Sequence, residues 1–207
     1  VVGPSIGGLM ALEFCTMYPK YVNKLISISS GYKLSTLQTL HNLEQAYILD
    51  LGRESNNRNN EYLSLARMVA HKTYISLELL SNRAKSETLY DDDLIKGFLS
   101  TPQESYMMHQ GEKFIERFTP ESYLSIIKGW QNFKIEQEDL NKLKDIETLV
   151  ISVDSDVCFY PDEQKDFLAV LNNHEINTTY TTINSTKGHD SFLLEPELFE
   201  DTLKNFL

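Results

Sequence analysis

Cysteine is scarce in this sequence, with two residues, Cys15 and Cys158, in a chain of 207. One pair cannot build a disulfide framework, and the absence of C-x-x-C and H-E-x-x-H spacings argues against a metal site. No apolar run approaches the about 18 residues that a bilayer span needs. Basic residues are outnumbered, 19 Lys and Arg against 30 Asp and Glu, for a net charge of −11. A phosphate backbone demands a basic stripe, so nucleic acid and anionic membrane are poor partners for this chain. No basic-then-apolar secretion signal precedes Val1, and with so little cysteine the expected compartment is the cytoplasm. Glycine is also sparse, nine in all, yet Gly3, Gly7 and Gly8 fall within the opening VVGPSIGG.

What is present reads as an α/β protein. Val1-Val2 has the character of a strand end, and the chain is therefore expected to begin inside a buried element of a larger fold, truncated at its N-terminus. IGGLMALEFCTM carries Leu9, Met10, Leu12, Phe14, Cys15 and Met17, apolar nearly all round, so a buried helix closed by Pro19 is expected. KLISIS at 24–29 is a β-branched run ended by Ser30-Gly31, which makes strand, glycine turn, helix and strand: a βαβ unit and a parallel sheet. From Ser35 to about Lys134 the period becomes helical, with segments over 36–50, 60–75, 76–86, 107–118 and 120–133 separated by polar breaks such as ESNNRNN and Ser100-Thr101-Pro102. The α/β pattern resumes with TLVISV at 148–153, a helix over 162–172, TTYTTIN at 178–184 and a closing helix from Glu195. The domain organisation is accordingly an α/β core at 1–34 and 141–207 with a helical cap at 35–140.

The glycines of the opening stretch frame Ser5. Gly3-Pro4-Ser5-Ile6-Gly7 fits G-x-S-x-G, in which a serine sits on a sharp strand-to-helix turn and small neighbours relieve crowding two residues either side. The following helix aims its N-terminus at the reacting centre, and the Ile6 N–H is a candidate oxyanion donor. Such a serine needs a base, and the base an orienting carboxylate, in the chain order Ser, Asp or Glu, His. Asp154-Ser155-Asp156 follows the strand at 148–153, and Lys187-Gly188-His189-Asp190 follows the strand at 178–184. Of the five histidines, only His189 falls in a late loop after a strand; His41, His71 and His109 lie in helical segments and His174 in a polar turn. Asp154 directly ends its strand, whereas Asp156 lies two residues into the loop, where its carboxylate can turn toward a histidine; Asp156 is preferred. Asp91-Asp92-Asp93 reads as a solvated helix start.

Longer stretches carry a resemblance. GPSIGGLMALEFCTMYP, LARMVAHKTYIS at 65–76, QGEKFIERFTPESYL at 110–124, VDSDVCFYPDEQ at 153–164 and GHDSFLLE at 188–195 together resemble the homoserine O-acetyltransferases of methionine biosynthesis. That resemblance implies an α/β-hydrolase fold: a mostly parallel sheet flanked by helices, a helical cap inserted after the strand that follows the nucleophile elbow, and a first half of the sheet lying before Val1. It implies Ser5 as nucleophile, Asp156 as orienter, His189 as base, and Asp190 as the carboxylate that holds the substrate ammonium. It further implies acetyl-CoA as co-substrate with no other cofactor, small-molecule substrates, and a homodimer through the cap. The family's first cap helix carries an arginine for the substrate carboxylate where this sequence has Glu44 or Gln45, so either another cation, such as Arg67 or Lys72, holds the amino acid or the acceptor alcohol is a different one. The alternatives are a serine hydrolase of the same fold, differing in that water takes the acyl group, and an acyltransferase with a different acyl donor or acceptor alcohol.

Overall fold

The computed structural model describes residues 1–54, 58–83 and 101–207; the Asp91-Asp92-Asp93 run lies outside the described residues. In chain order the elements are β1 (Val2–Pro4), α1 (Ile6–Met17), β2 (Lys24–Ile28), α2 (Thr36–Glu54), α3 (Asn59–His71), α4 (Leu77–Arg83), α5 (Pro102–Ile115), α6 (Pro120–Gln131), β3 (Glu147–Val153), α7 (Pro161–Asn173), β4 (Thr178–Ile183), α8 (Ser191–Leu194) and α9 (Glu197–Phe206). They form two compact units, one of Val1–Ser35 with Asn132–Leu207, the other of Thr36–Gln131.

In the first unit the four strands pair in parallel in the order β1-β2-β3-β4. Parallel neighbours need crossovers, and α1 and α7 supply those from β1 to β2 and from β3 to β4. β2 and β3 are buried along almost their whole length, as strands covered on both faces are. Their side chains alternate between two cores. Leu25 and Val150 join Leu12 and Cys15 of α1 and Phe167 and Leu171 of α7 on one face. Ile26, Ile28, Leu149, Ile151 and Val153 join Phe199 and Phe206 of α9 on the other. Leu140 and Leu143, from a 3-10 turn ahead of β3, complete the first core.

Helix α1 departs from the all-round burial its composition suggested. Leu9, Leu12 and Cys15 are buried against the sheet, but Met10 is 64% and Met17 60% exposed, with Phe14 open beside them. Its partner strand β1 stands at the edge of the four-stranded sheet, so among the described residues only one side of α1 has apolar cover.

The second unit is helical and packs around Leu49, Leu63, Ala66, Phe114, Tyr123, Leu124 and Ile127. Helix α2 buries Gln38, Asn42 and Gln45 along with Leu49, while Leu37, Leu40, Leu43, Tyr47 and Leu51 are exposed. Gln45 is satisfied within the unit, accepting from the Tyr123 hydroxyl and donating to the His41 carbonyl at 3.0 Å. Helix α5 starts at Pro102, five residues before the expected 107, because Thr101-Pro102-Gln103-Glu104 is a capping box and not a break. The Thr101 hydroxyl accepts from the Glu104 N–H, and the Glu104 carboxylate accepts in return from the Thr101 N–H at 2.8 Å. Proline at N1 reinforces that start, since its missing N–H has no partner to lose there.

Removing the box is expected to cost about 1 kcal/mol. Thr101→Ala should therefore lower the urea midpoint of the helical unit without changing the slope, and Thr101→Ser should restore it; an unchanged midpoint in the alanine variant would show that the box does not hold the start of α5.

Candidate active site

Ser5 stands between β1 and α1 with φ 55° and ψ −131°, a left-handed conformation that a residue with a Cβ adopts only under constraint. Backbone hydrogen bonds supply the constraint on both sides. The Ser5 N–H donates to the Ile28 carbonyl at 2.9 Å, and its own carbonyl accepts from the Gly8 N–H at 2.9 Å.

The glycines around it are not equivalent. A Cβ on Gly3 would lie 2.0 Å from the Gly7 carbonyl oxygen, and one on Gly8 would lie 2.4 Å from the Ser30 Cβ. A Cβ on Gly7 would meet only the Pro4 ring, at an ordinary 3.5 Å. The expectation that small residues are required two before and two after the serine holds on the strand side only; on the helix side the close approach falls one residue later, where α1 crosses the end of β2.

The three strand ends bring Ser5, His189 and Asp156 into one hydrogen-bonded line. Asp156 Oδ2 lies 2.8 Å from His189 Nδ1, and His189 Nε2 lies 2.8 Å from the Ser5 hydroxyl. A carboxylate at Nδ1 assigns the proton to that nitrogen and leaves Nε2 to accept from Ser5. The other carboxylate oxygen, Oδ1, accepts from the N–H groups of Cys158 at 2.8 Å and Phe159 at 2.9 Å. Asp156 is 1% and His189 2% exposed, while Ser5 is half-buried. The Phe159 ring stacks on the imidazole at 5.5 Å and 20°, and the Phe192 ring meets it edge-on at 5.6 Å. Sequence reasoning passed over both rings, although each lies three residues from a member of the line.

Ile6 heads α1, so its N–H belongs to the first turn, where helix amides lack intrahelical acceptors. Asp190 heads α8 beside His189; its carbonyl accepts from the N–H groups of Leu193 and Leu194, and its side chain does not cap the helix. Asp154 faces another way, its carboxylate accepting from the Ser185 N–H at 2.9 Å. Glu163, on α7, lies close enough to Asp156 to feel its charge: burial foremost pushes the Glu163 carboxyl up, a hydrogen bond from Ser35 opposes this, and the negative charge of Asp156 adds to the rise. In the helical unit Glu44 lies beside His41, the Arg67 guanidinium stands over the rings of Tyr74 at 4.8 Å and Phe114 at 4.9 Å, and Lys72 is exposed. Among the described residues no group of three or more His, Cys, Asp or Glu could hold a metal ion, and no helix is long and apolar enough to cross a membrane.

No protein-family model matches the chain. Individual relatives do. It is 36% identical over 221 aligned positions to homoserine O-acetyltransferase of Methanosalsum zhilinae, which covers 100% of this chain and 44% of that protein. To homoserine O-acetyltransferase of Pelagibacter ubique it is 31% identical, with 100% and 60% covered. Over its whole length the chain is similar to homoserine O-acetyltransferases. It spans about half the length of the curated relatives it matches. Solved structures agree on the fold. Homoserine O-acetyltransferase from Bacillus anthracis superposes with a TM-score of 0.85 at 17% identity, covering 100% of this chain and 58% of that one. Esterase E22 superposes at 0.86 and 16% identity, covering 100% and 60%. An α/β-hydrolase from a deep-sea metagenome library follows at 0.67. The fold is that of the α/β-hydrolases, with homoserine O-acetyltransferase relatives recognisable by sequence as well.

The unequal roles of the glycines are open to direct test. Gly3→Ala and Gly8→Ala should lower the melting temperature and slow any chemistry at Ser5, because backbone must shift to admit the methyl group. Gly7→Ala should be neutral or stabilise by about 0.5–1 kcal/mol, as glycine-to-alanine replacements inside helices do. A Gly7→Ala variant as damaged as the other two would contradict the steric reading.

Proposed function

We propose that the protein carrying this chain moves an acetyl group from acetyl-CoA to the hydroxyl of homoserine through an acyl-enzyme on Ser5. The observation that carries the proposal is the unbroken line Ser5–His189–Asp156, at 2.8 Å per link, in a chain 36% identical to a named homoserine O-acetyltransferase. In the first half-reaction the Ser5 oxygen attacks the thioester carbonyl and its proton passes to His189 Nε2. The tetrahedral intermediate collapses, the carbon–sulfur bond breaks, and the CoA thiolate takes the proton from the imidazolium. In the second, His189 removes the proton of the acceptor hydroxyl as it attacks the acetyl carbonyl, then returns that proton to Ser5 when the ester bond breaks. Asp156 stabilises the imidazolium in both halves, and the Ile6 N–H donates to the oxyanion. Asp190, next to the base, is assigned the acceptor's ammonium group. Nothing beyond acetyl-CoA is needed as cofactor.

The acceptor's carboxylate requires a cation, and positions 44 and 45 of the first cap helix do not offer one: Gln45 is engaged with Tyr123 and His41, Glu44 is itself acidic, and the arginine of that helix, Arg53, stands in its last turn. The reading also includes a homodimer through the helical unit, which the outward leucines of α2 support. A second reading, a serine esterase, draws support from the superposition on esterase E22, as close as that on the acetyltransferase. The two share the acyl-enzyme and differ in what removes the acyl group.

Single-turnover kinetics on the intact protein separate these roles. Asp156→Asn should slow both acetylation by acetyl-CoA and transfer to homoserine, by roughly 10⁴ in a triad of this kind. Asp190→Asn should acetylate normally and transfer poorly, losing about 2–5 kcal/mol if its charge pair is desolvated. Normal acetylation in Asp156→Asn would remove Asp156 from the triad. Deacetylation of the wild type that is indifferent to homoserine would favour the esterase.

A further inference from the structure

The loop that carries the base is held by more than the base. Strands β3 and β4 end side by side, Val153 opposite Ile183, and the Asp154 N–H continues their ladder by donating to the Ile183 carbonyl at 3.1 Å. Asp154 then takes the Ser185 N–H, and Asp156 takes His189. Between them Ser155 uses its hydroxyl in both senses. It donates to the Ser185 carbonyl and accepts from the Gly188 N–H at 3.0 Å. Gly188 has φ 79°, the left-handed turn that swings the chain into His189. Ser185 is itself fixed, its hydroxyl donating to the Glu195 carboxylate and accepting from the Lys187 N–H at 3.0 Å.

We propose that Ser155 is the positioning residue of this site: its hydroxyl locks the left-handed Gly188 peptide, and through it sets the imidazole of His189 at hydrogen-bond distance from Asp156 and Ser5 together. Three consecutive residues of one loop thus hold three points of the other, at Ser185, Gly188 and His189. Asp154 fixes the start of the loop, Asp156 holds the imidazole, and Ser155 grips the chain between them. The Ser155 contact to Gly188 is the one that sets the backbone next to the base. A hydroxyl suits this place because it is donor and acceptor at once; an aspartate would have no proton for the Ser185 carbonyl, and an alanine would leave both backbone groups without their partner. An imidazole that must reach a carboxylate on one side and a serine on the other tolerates little displacement, since a misplacement of about 1 Å can cost about 100-fold in rate. The inference rests on the acyl-enzyme reading for its kinetic consequence, though not for its geometry.

The test uses the intact protein with Ser155→Ala and Ser155→Thr. The first readout is the downfield proton resonance of His189 Nδ1–H hydrogen-bonded to Asp156; the second is the rate at which acetyl-CoA places an acetyl group on Ser5, followed by mass spectrometry. Ser155→Ala should broaden or lose the resonance and slow acetylation about 10- to 100-fold, with little change in melting temperature, because the Asp154 grip remains. Ser155→Thr, which keeps the hydroxyl, should recover both. Should the alanine variant not fold, Ser155→Cys, which keeps the volume and weakens both hydrogen bonds, is expected to give the same two losses. An intact resonance with wild-type acetylation in the alanine or cysteine variant would overturn the proposal. A wild-type protein that takes no acetyl group on Ser5 would overturn the acyl-enzyme reading instead, and the resonance would then decide the role of Ser155 alone.

Discussion

Asp156 carries a charge into a place with almost no water, and the rest of the site is arranged to make that tenable. A buried carboxylate without partners costs several kcal/mol, so both of its oxygens have to be met. Two backbone N–H groups meet one oxygen and His189 meets the other. The backbone donors come from Cys158 and Phe159, so the turn that leads into α7 exists in the conformation that serves the carboxylate. Phe159, placed by the same turn, covers the imidazole. Asparagine in its place would keep an oxygen for those donors but turn an NH2 group toward His189 Nδ1, which favours the wrong tautomer of the imidazole.

A parallel sheet explains why residues 5, 156 and 189 meet. Strands that run the same way end at one edge, and side chains on the loops beyond those ends converge there. β1 delivers Ser5, β3 delivers Asp156 and β4 delivers His189, while β2 lies between the first two and anchors the serine through the Ile28 carbonyl. The strain at Ser5 is sustained by that anchor and by Gly3 and Gly8, whose missing side chains let α1 start flush against the sheet. Burial does the remainder: Leu12 and Cys15 fix α1 from beneath, and burial pushes the Cys15 thiol up to about 11, so this residue packs as a small apolar group.

Much of this was legible in the residues themselves. Strands announced themselves as β-branched runs, the elbow as glycine around serine, and the choice of Asp156 over Asp154 followed from loop reach. Three features were not legible, each for a physical reason. The start of α5 was hidden because Thr-Pro looks like a break until Glu104 is counted as the other half of a capping box. Periodicity marked α2 as amphipathic but could not show that Gln38, Asn42 and Gln45 share the buried side with Leu49, with Gln45 satisfied by a tyrosine 78 residues away. The clasp of Ser155, Ser185 and Glu195 has no sequence signature, since serines and a glutamate in loops are ordinary until the two loops are brought together.

The central claim is that Ser5 is the activated nucleophile of a buried Asp156–His189 pair. A fluorophosphonate probe tests it most directly, since it reacts with an activated serine whatever the acyl donor or acceptor is. Incubation of the intact protein with such a probe, followed by digestion and peptide mass spectrometry, should place one phosphonyl group on Ser5 and none on the other serines, with heat-denatured protein left unlabelled. Labelling elsewhere, or none at Ser5 in the folded protein, would contradict the account.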